Sequence, residues 1–363
     1  MVAKGYGRGI VALGLAIGCV IGASPALGDD DEARQGATRR AWSRTPCSAT
    51  AQALFAACRA EVTDDAFVKR AKCINVVAAA ERAACVDELD EERDEATRLC
   101  REQRDGRLEA CTLLGEVRYD PDVRPALFDD PRNPSHPNPY FPLAVGNRWE
   151  YRGGGEINTV EVVDETKLIA GVGCIVVRDL VSKSGDLSGD PSGDLTEATD
   201  DWYAHAKDGT TWYFGEEVKN FESFDGDAPR RPELVSIDGS FKAGRERDKP
   251  GVIFLALPAP GAAYLEEFSL GNAEDVTVVL STTYAWGDDP ELDQLVPGEL
   301  AQQLCSGDCV VTKNFSLIEP GIFARKYYAR GIGVFLEVEP DEPVVSQLVG
   351  CNFDSRCASL PQP

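Results

Sequence analysis

Two hydrophobic patterns divide the chain. From Pro46 to about Glu116 the residues are mainly Ala, Glu, Arg and Leu, and neither Gly nor Pro occurs between Cys47 and Asp105. That composition predicts helices. Thr63-Asp64-Asp65 offers an N-cap and so predicts a break at that point. No comparable signal lies between Cys85 and Cys100, so two helices and three helices both fit. From Phe141 to about Glu339 the pattern becomes that of strands. Gly146 to Tyr151 and Asn158 to Val163 alternate. Asp164-Glu165-Thr166 then reads as a turn into a β-branched run, Leu168 to Val181. Further runs lie at Leu234–Phe241, Val252–Leu257, Tyr264–Phe268, Val276–Tyr284, Val310–Phe315, Phe323–Arg330 and Ile332–Val338. A short helix is expected at Glu299–Leu304, inside an acidic insertion. Many short strands without intervening helices predict an antiparallel barrel or sandwich.

The strongest local signal is Asp201 to Gly215. Asp208-Gly209 separates two aromatic runs and has the composition of a tight hairpin turn. With those two residues as the loop, Lys207 faces Thr210, His205 faces Trp212 and Tyr203 faces Phe214. Tyr203, His205, Trp212 and Phe214 then share one face, with Trp202, Ala204 and Tyr213 on the other. A hairpin apolar on both faces is either sandwiched in a core or lines a cavity. Trp202, Tyr203, His205, Trp212 and Tyr213, with Glu216 just beyond, are therefore the candidate ligand-binding residues, a stacking platform for a sugar or an apolar ligand.

At the start of the chain, Lys4 and Arg8 precede an apolar stretch, Ile10 to Ala23, and Ala26-Leu27-Gly28 supplies small residues before an acidic run. This is the pattern of an export signal over residues 1–28. The rival reading takes Ala16-Ile17-Gly18-Cys19 as a lipoprotein box, with Cys19 as the lipid anchor. Residues 29–44 read as a disordered lead-in. Tyr119 to Pro142 is rich in Pro and Asn, an extended linker or wrapping arm that includes His136. No segment of the mature chain reads as membrane-spanning.

The chain has 363 residues, enough for two domains, and 43% are hydrophobic. Against 37 basic residues stand 61 acidic ones, a net charge of −24. A field of that sign argues against nucleic acid and anionic membranes as partners. Twelve Cys and only two His, His136 and His205, set the available chemistry. The Cys usage fits an oxidising compartment, periplasmic or extracellular.

Six Cys, at 47, 58, 73, 85, 100 and 111, fall in the helical region at nearly mirror-symmetric spacing, and a separation of 27 relates two pairs, read as a weak internal repeat. A gap of eleven is close to three helical turns, so such a pair shares one helix face. Structural disulfides are expected, with fifteen connectivities open. Cys305 with Cys309, and Cys351 with Cys357, are spaced as local bridges. Cys174, the odd thiol, is expected to be buried and free.

Catalytic motifs are scarce. The chain contains no Gly-x-Ser-x-Gly elbow, no phosphate-cradling loop and no His-Glu-x-x-His. Ser-Gly-Asp repeats over Ser184–Asp194 offer three Asp for Ca²⁺, but not at EF-hand spacing. Carboxylate pairs at Asp200-Asp201, Glu216-Glu217, Glu266-Glu267 and Asp288-Asp289 are read mainly as solvated faces, with a glycan-directed hydrolase as the functional alternative.

The runs Asn138-Pro-Tyr-Phe-Pro-Leu, Gly146-Asn-Arg-Trp-Glu-Tyr, Asp201-Trp-Tyr-Ala, Trp212-Tyr-Phe-Gly-Glu and Lys326-Tyr-Tyr-Ala-Arg-Gly-Ile-Gly together resemble a group of uncharacterised secreted bacterial proteins. The resemblance covers most of residues 117–339. It implies export and a β-rich domain, and no activity.

The expectation is thus an α+β protein with segregated parts: a signal (1–28), a lead-in (29–44), a disulfide-rich helical domain (45–116), a linker (117–140), an antiparallel β domain (141–340) and a disulfide-bearing tail (341–363). Functionally it is an exported, non-catalytic protein that binds a small molecule or an envelope or extracellular protein. The alternatives are a carboxylate-dependent hydrolase and a purely structural role, with no cofactor beyond possible Ca²⁺.

Overall fold

A computed structural model describes residues 45–183, 195–340 and 344–363. The export signal, Cys19, the lead-in and the Ser-Gly-Asp repeats lie outside the described residues. The chain divides into two compact units, with the boundary in sequence between Tyr119 and Asp120.

The first unit contains two long helices, α1 (Pro46–Ile74) and α2 (Ala79–Leu114). The expected break at Thr63 is absent. Its hydroxyl bonds the Arg59 carbonyl one turn back at 2.9 Å, so it is satisfied within the helix and caps nothing. The turn comes at residues 75–78, where the Asn75 side chain donates to Ala71 O. Cys47 pairs with Cys111, Cys58 with Cys100 and Cys73 with Cys85. Each pair is centred on residue 79, just past that turn, as antiparallel helices require. The mirror symmetry of the Cys spacing is therefore the signature of a stapled hairpin, and the separation of 27 marks no structural repeat. Little else is buried here: Ala51, Leu89, Arg107 and Ala110 join the half-cystines Cys73, Cys100 and Cys111. The bridges replace a core that two helices cannot build.

The second unit is an antiparallel β barrel. Its strands are β1 (Arg148–Gly153), β2 (Glu156–Ile169), β3 (Val172–Lys183), β4 (Leu195–His205), β5 (Thr211–Glu222), β6 (Glu233–Ser236), β7 (Phe241–Lys242), β8 (Lys249–Phe254), β9 (Ala263–Leu265), β10 (Glu267–Phe268), β11 (Asp275–Tyr284), β12 (Cys309–Ser316), β13 (Ala324–Ala329), β14 (Gly333–Glu339) and β15 (Val344–Cys351). The sheet order is β10-β8-β5-β4-β3-β2-β1-β15-β14-β13-β12-β11-β9, with β6 and β7 branching from β5. Its two ends, β9 and β10, are consecutive in the chain and separated only by Glu266. One bent segment thus pairs with β11 on one side and β8 on the other, and nearly closes the barrel. A Cβ on Gly251 would lie 1.9 Å from the Glu266 carbonyl, so the seam needs glycine there.

Several details differ from expectation. Leu168 to Val181 is not one strand. Ala170 and Gly171, at φ 49° and 84°, form a two-residue turn between Ile169 and Val172. The turn expected at Asp164–Thr166 is a bulge within β2. Leu234–Phe241 divides into β6 and β7. The tail supplies β15, which pairs with both β1 and β14 and is part of the barrel wall.

Bridges Cys305–Cys309 and Cys351–Cys357 are formed. The outer wall is covered in two places. The arm packs Phe128 edge-on to Phe214 and Trp212. The segment leading to α3 (Gly298–Leu304) lies over β13, where Tyr327 Oη donates to Leu292 O at 2.6 Å. Elsewhere β1 to β5 carry outward ion pairs, including Arg178–Asp200 and Lys219–Glu217, where a lipid-facing barrel has an apolar band. No helix among the described residues is long and apolar enough to cross a membrane.

Candidate functional site

The arrangement of the site follows from the strand registers, because residues opposite one another across a ladder share a face. One row runs Val162, Val177, Asp201, Glu216. The next runs Trp149, Val160, Asp179, Thr199, Val218, and a third runs Tyr151, Asn158, Val181, Glu197, Asn220. On the other wall Glu337 faces Lys326, Lys326 faces Thr312, and Thr277 faces Asn314. Tyr151 lies within electrostatic reach of both Asp179 and Glu337, and Glu216 within reach of Asp275. These rows therefore face a common interior.

Glu216 reaches that interior through a defect in the ladder. Asp201 opposes Glu216 and Tyr203 opposes Tyr213, so β5 has one extra residue between them. Gly215, at φ +123°, takes up the bulge. Without it, alternation from the inward Tyr213 would turn Glu216 outward.

The barrel interior is thus rich in carboxyls: Asp179, Glu197, Asp201, Glu216, Glu266, Glu267, Asp275 and Glu337. Two ionised carboxylates about 6 Å apart at an effective dielectric constant of about 20 repel by roughly 3 kcal/mol. Burial pushes Asp179 up to about 7, against a hydrogen bond from Asn158. Burial likewise raises Asp201, Glu216, Glu267 and Asp275, and neighbouring carboxylates add to each shift. Tyr213 Oη donates to Asp201 Oδ1 at 2.5 Å and also reaches the Glu216 carboxyl. Glu266 accepts from Asn314 Nδ2 at 2.7 Å.

The two sides of the interior are compensated differently. Lys326 stands among Glu337, Glu266 and Asp275. Burial alone would lower its ammonium, but those carboxylates more than offset it and hold it raised. On the β3–β5 side, the charges acting most strongly on Asp179, Asp201 and Glu216 are other carboxylates. Two buried acceptors there, Asn158 Oδ1 and Asp179 Oδ1, have no hydrogen-bond donor. Asn158 also lines a cavity of about 230 Å³ at one mouth of the barrel, with Tyr151, Glu156, Val181, Glu337 and Ser346.

The structure separates the residues picked out by sequence. Tyr203 and Tyr213 face inward and stack at 4.9 Å, and Glu216 faces inward beside them. Trp202 points outward into a cluster with Cys174, Val176 and Phe214, with Lys167 Nζ 3.4 Å from its ring centroid. Trp212 is outward beneath Phe128. The expected face assignment fails because the hairpin loop has three residues, Lys207 to Gly209, closed by Ala206 N donating to Thr210 O. His205 therefore opposes Thr211, and Ala204 opposes Trp212. A register change of one residue turns every β5 side chain to the other face.

His205 is 2% exposed, and burial lowers it to about 4, a neutral imidazole at physiological pH. Its Nε2 and the Thr211 hydroxyl are without partners, at the end of β4 away from the cavity. Cys174 is a free, buried thiol pushed up to about 12. The carboxylate pairs do not simply mark solvated faces. Asp201 and Glu216 point in, while Asp200 and Glu217 point out to Arg178 and Lys219.

Sequence reasoning missed Tyr151, Asn158, Asp179, Glu197 and Lys326. The available signal was phase, since Asp179 falls on the same alternation as Ile175 and Val177. Among the described residues the one group of possible metal ligands within 4.8 Å is Cys47, Cys111 and Glu116, whose two Cys are joined in a disulfide. No three of the interior carboxyls converge to that distance, so they form no ready-made cage for a bare divalent ion.

No family model and no curated protein matches the chain. A provisionally assigned lipoprotein from Parabacteroides distasonis aligns over 60% of this chain and 100% of its own, at 11% identity and a TM-score of 0.27. A TM-score that low carries no inference about fold or function. The five disulfides are those expected of a protein matured in an oxidising compartment.

Proposed function

We propose that the β domain is a non-catalytic binding module that takes a small ligand into the barrel through the mouth between β1–β3 and β14–β15. One observation carries this reading: a cavity of about 230 Å³ stands there, lined by the inward-row side chains Tyr151, Asn158, Val181 and Glu337. Aromatic stacking is a smaller part of the reading than the sequence implied, because Trp202 and Trp212 face away from the lumen.

The hydrolase reading is weaker. Its two carboxyls would be Asp201 and Glu216, which oppose each other on adjacent strands. Both reach the single hydroxyl of Tyr213, so no sugar ring fits between them, as glycoside hydrolysis requires.

The test is native mass spectrometry of the disulfide-intact chain from its producing cell, beside a Ser346→Trp variant that fills the mouth. The wild type is expected to carry a mass excess that is lost on denaturation and is much reduced in the variant. A bare wild-type mass, together with no thermal shift from any small-molecule fraction of the cell extract, would overturn the reading.

A further inference from the structure

We infer that the lumen ligand is an organic cation, an amine or guanidinium whose N–H groups are received on the β2–β4 side by Asn158, Asp179 and Glu197. This rests on the lumen reading above. The barrel itself shows how its acidity is matched on one side. There Lys326, carried on β13, stands opposite Glu337 and near Glu266 and Asp275. No ammonium is among the charges acting most strongly on Asp179 and Asp201, and the nearest one on these strands, Lys183, stands at the mouth opposite Glu156.

A second observation, independent of charge, points the same way. Asn158 Oδ1 and Asp179 Oδ1 are buried acceptors without donors, on side chains that already touch each other through Asn158 Nδ2 and Asp179 Oδ2 at 3.3 Å. Buried acceptors of this kind are costly unless something donates to them. A ligand with several N–H donors satisfies the unpaired oxygens, and its positive charge favours ionisation of neighbouring carboxyls that burial otherwise holds towards the protonated form. A bare metal ion fits less well, because the carboxyl oxygens do not converge on a point. The Tyr151 ring and the Val181 side chain at the mouth supply apolar surface for a short alkyl spacer.

The experiment is isothermal titration of the disulfide-intact full chain with spermidine, with CaCl₂ and with uncharged 1,8-octanediol. Spermidine is expected to bind one to one, at least tenfold more weakly to Asp179→Asn and with unchanged affinity to Asp288→Asn on an exposed loop. Glu197→Gln serves in place of Asp179→Asn should that variant melt early. Ser346→Trp is expected to abolish binding. Saturation by CaCl₂ or by the diol, without spermidine binding, overturns the cation inference. A neutral or anionic ligand found by native mass spectrometry also overturns it while leaving the lumen reading intact. Absence of any adduct and of any binding overturns both.

Discussion

The Tyr213 hydroxyl donates to Asp201 Oδ1 at 2.5 Å, inside the barrel and next to the bulge that brings Glu216 to the same hydroxyl. Tyr213→Phe keeps the ring stack on Tyr203 and removes only the donor. The expected cost is about 1–3 kcal/mol, that of leaving a buried acceptor unmet. It is read as a lower urea midpoint at unchanged slope. The Asp201 carboxyl should also titrate higher, because the lost bond was the one opposing its shift.

Stability should fall as pH rises. A free carboxyl titrates near 4, whereas Asp179 does so at about 7 when folded, and Asp201, Glu216, Glu267 and Asp275 are raised in the same direction. Such groups hold protons more tightly when folded. Their stabilisation is fully present below about pH 4 and is lost as pH climbs through the folded values. His205, lowered to about 4, acts oppositely, losing stability as pH falls below about 6.5. One imidazole against several carboxyls leaves a net decrease in melting temperature from pH 5 to pH 8. Asp179→Asn should make that decrease shallower, and a melting temperature that rises over this range would refute the account.

Reduction should unfold the helical hairpin and spare the barrel. The three bridges enclose sequence separations of 64, 42 and 12, and loop closure on that scale is worth about 3–4 kcal/mol per bridge. With so few buried apolar side chains to replace them, circular dichroism at 222 nm should drop on reduction. Fluorescence from Trp149, Trp202 and Trp212 in the barrel should hold.

Gly215→Ala should cost at least about 2 kcal/mol, the scale of a backbone held in a sparsely populated region. Its φ is +123°, and an added Cβ would lie 2.2 Å from the Phe241 carbonyl. Thermal melts give the loss.

Cys174 should not react with a disulfide reagent such as DTNB in the native protein. It is fully buried and its thiol is pushed up to about 12, so almost no thiolate exists at pH 8. The Cys174 thiol should become reactive on denaturation without reductant, and a native reaction at Cys174 would mean that the β3 face opens.

Much of the fold was legible from local pattern. Ala- and Glu-rich composition marked the helices, and alternation marked most of the strands. The α3 segment and both local bridges also lie where their residues suggested. The candidate site was less legible. Phase alone could have turned Asp179 inward, but Glu216 needed knowledge of a bulge at Gly215, and the inward face of β5 needed the length of one loop. Asp208-Gly209 looked like a two-residue turn. The structure spends three residues there, because Gly209 takes the positive φ alone and Asp208 Oδ1 accepts from Thr210 N at 2.8 Å.

Composition and spacing, by themselves, determined that a disulfide-stapled helical region precedes an antiparallel β domain, while the pairing of the six helical Cys was left open until the position of the helix turn was known. Those properties are local or depend only on distance along the chain. Tertiary structure decided barrel rather than sandwich, the place of β15 in the wall, and which carboxyls face inward. Those outcomes depend on register, where one residue more or less in a loop or bulge reverses a whole strand, and no single-residue preference is strong enough to specify that count.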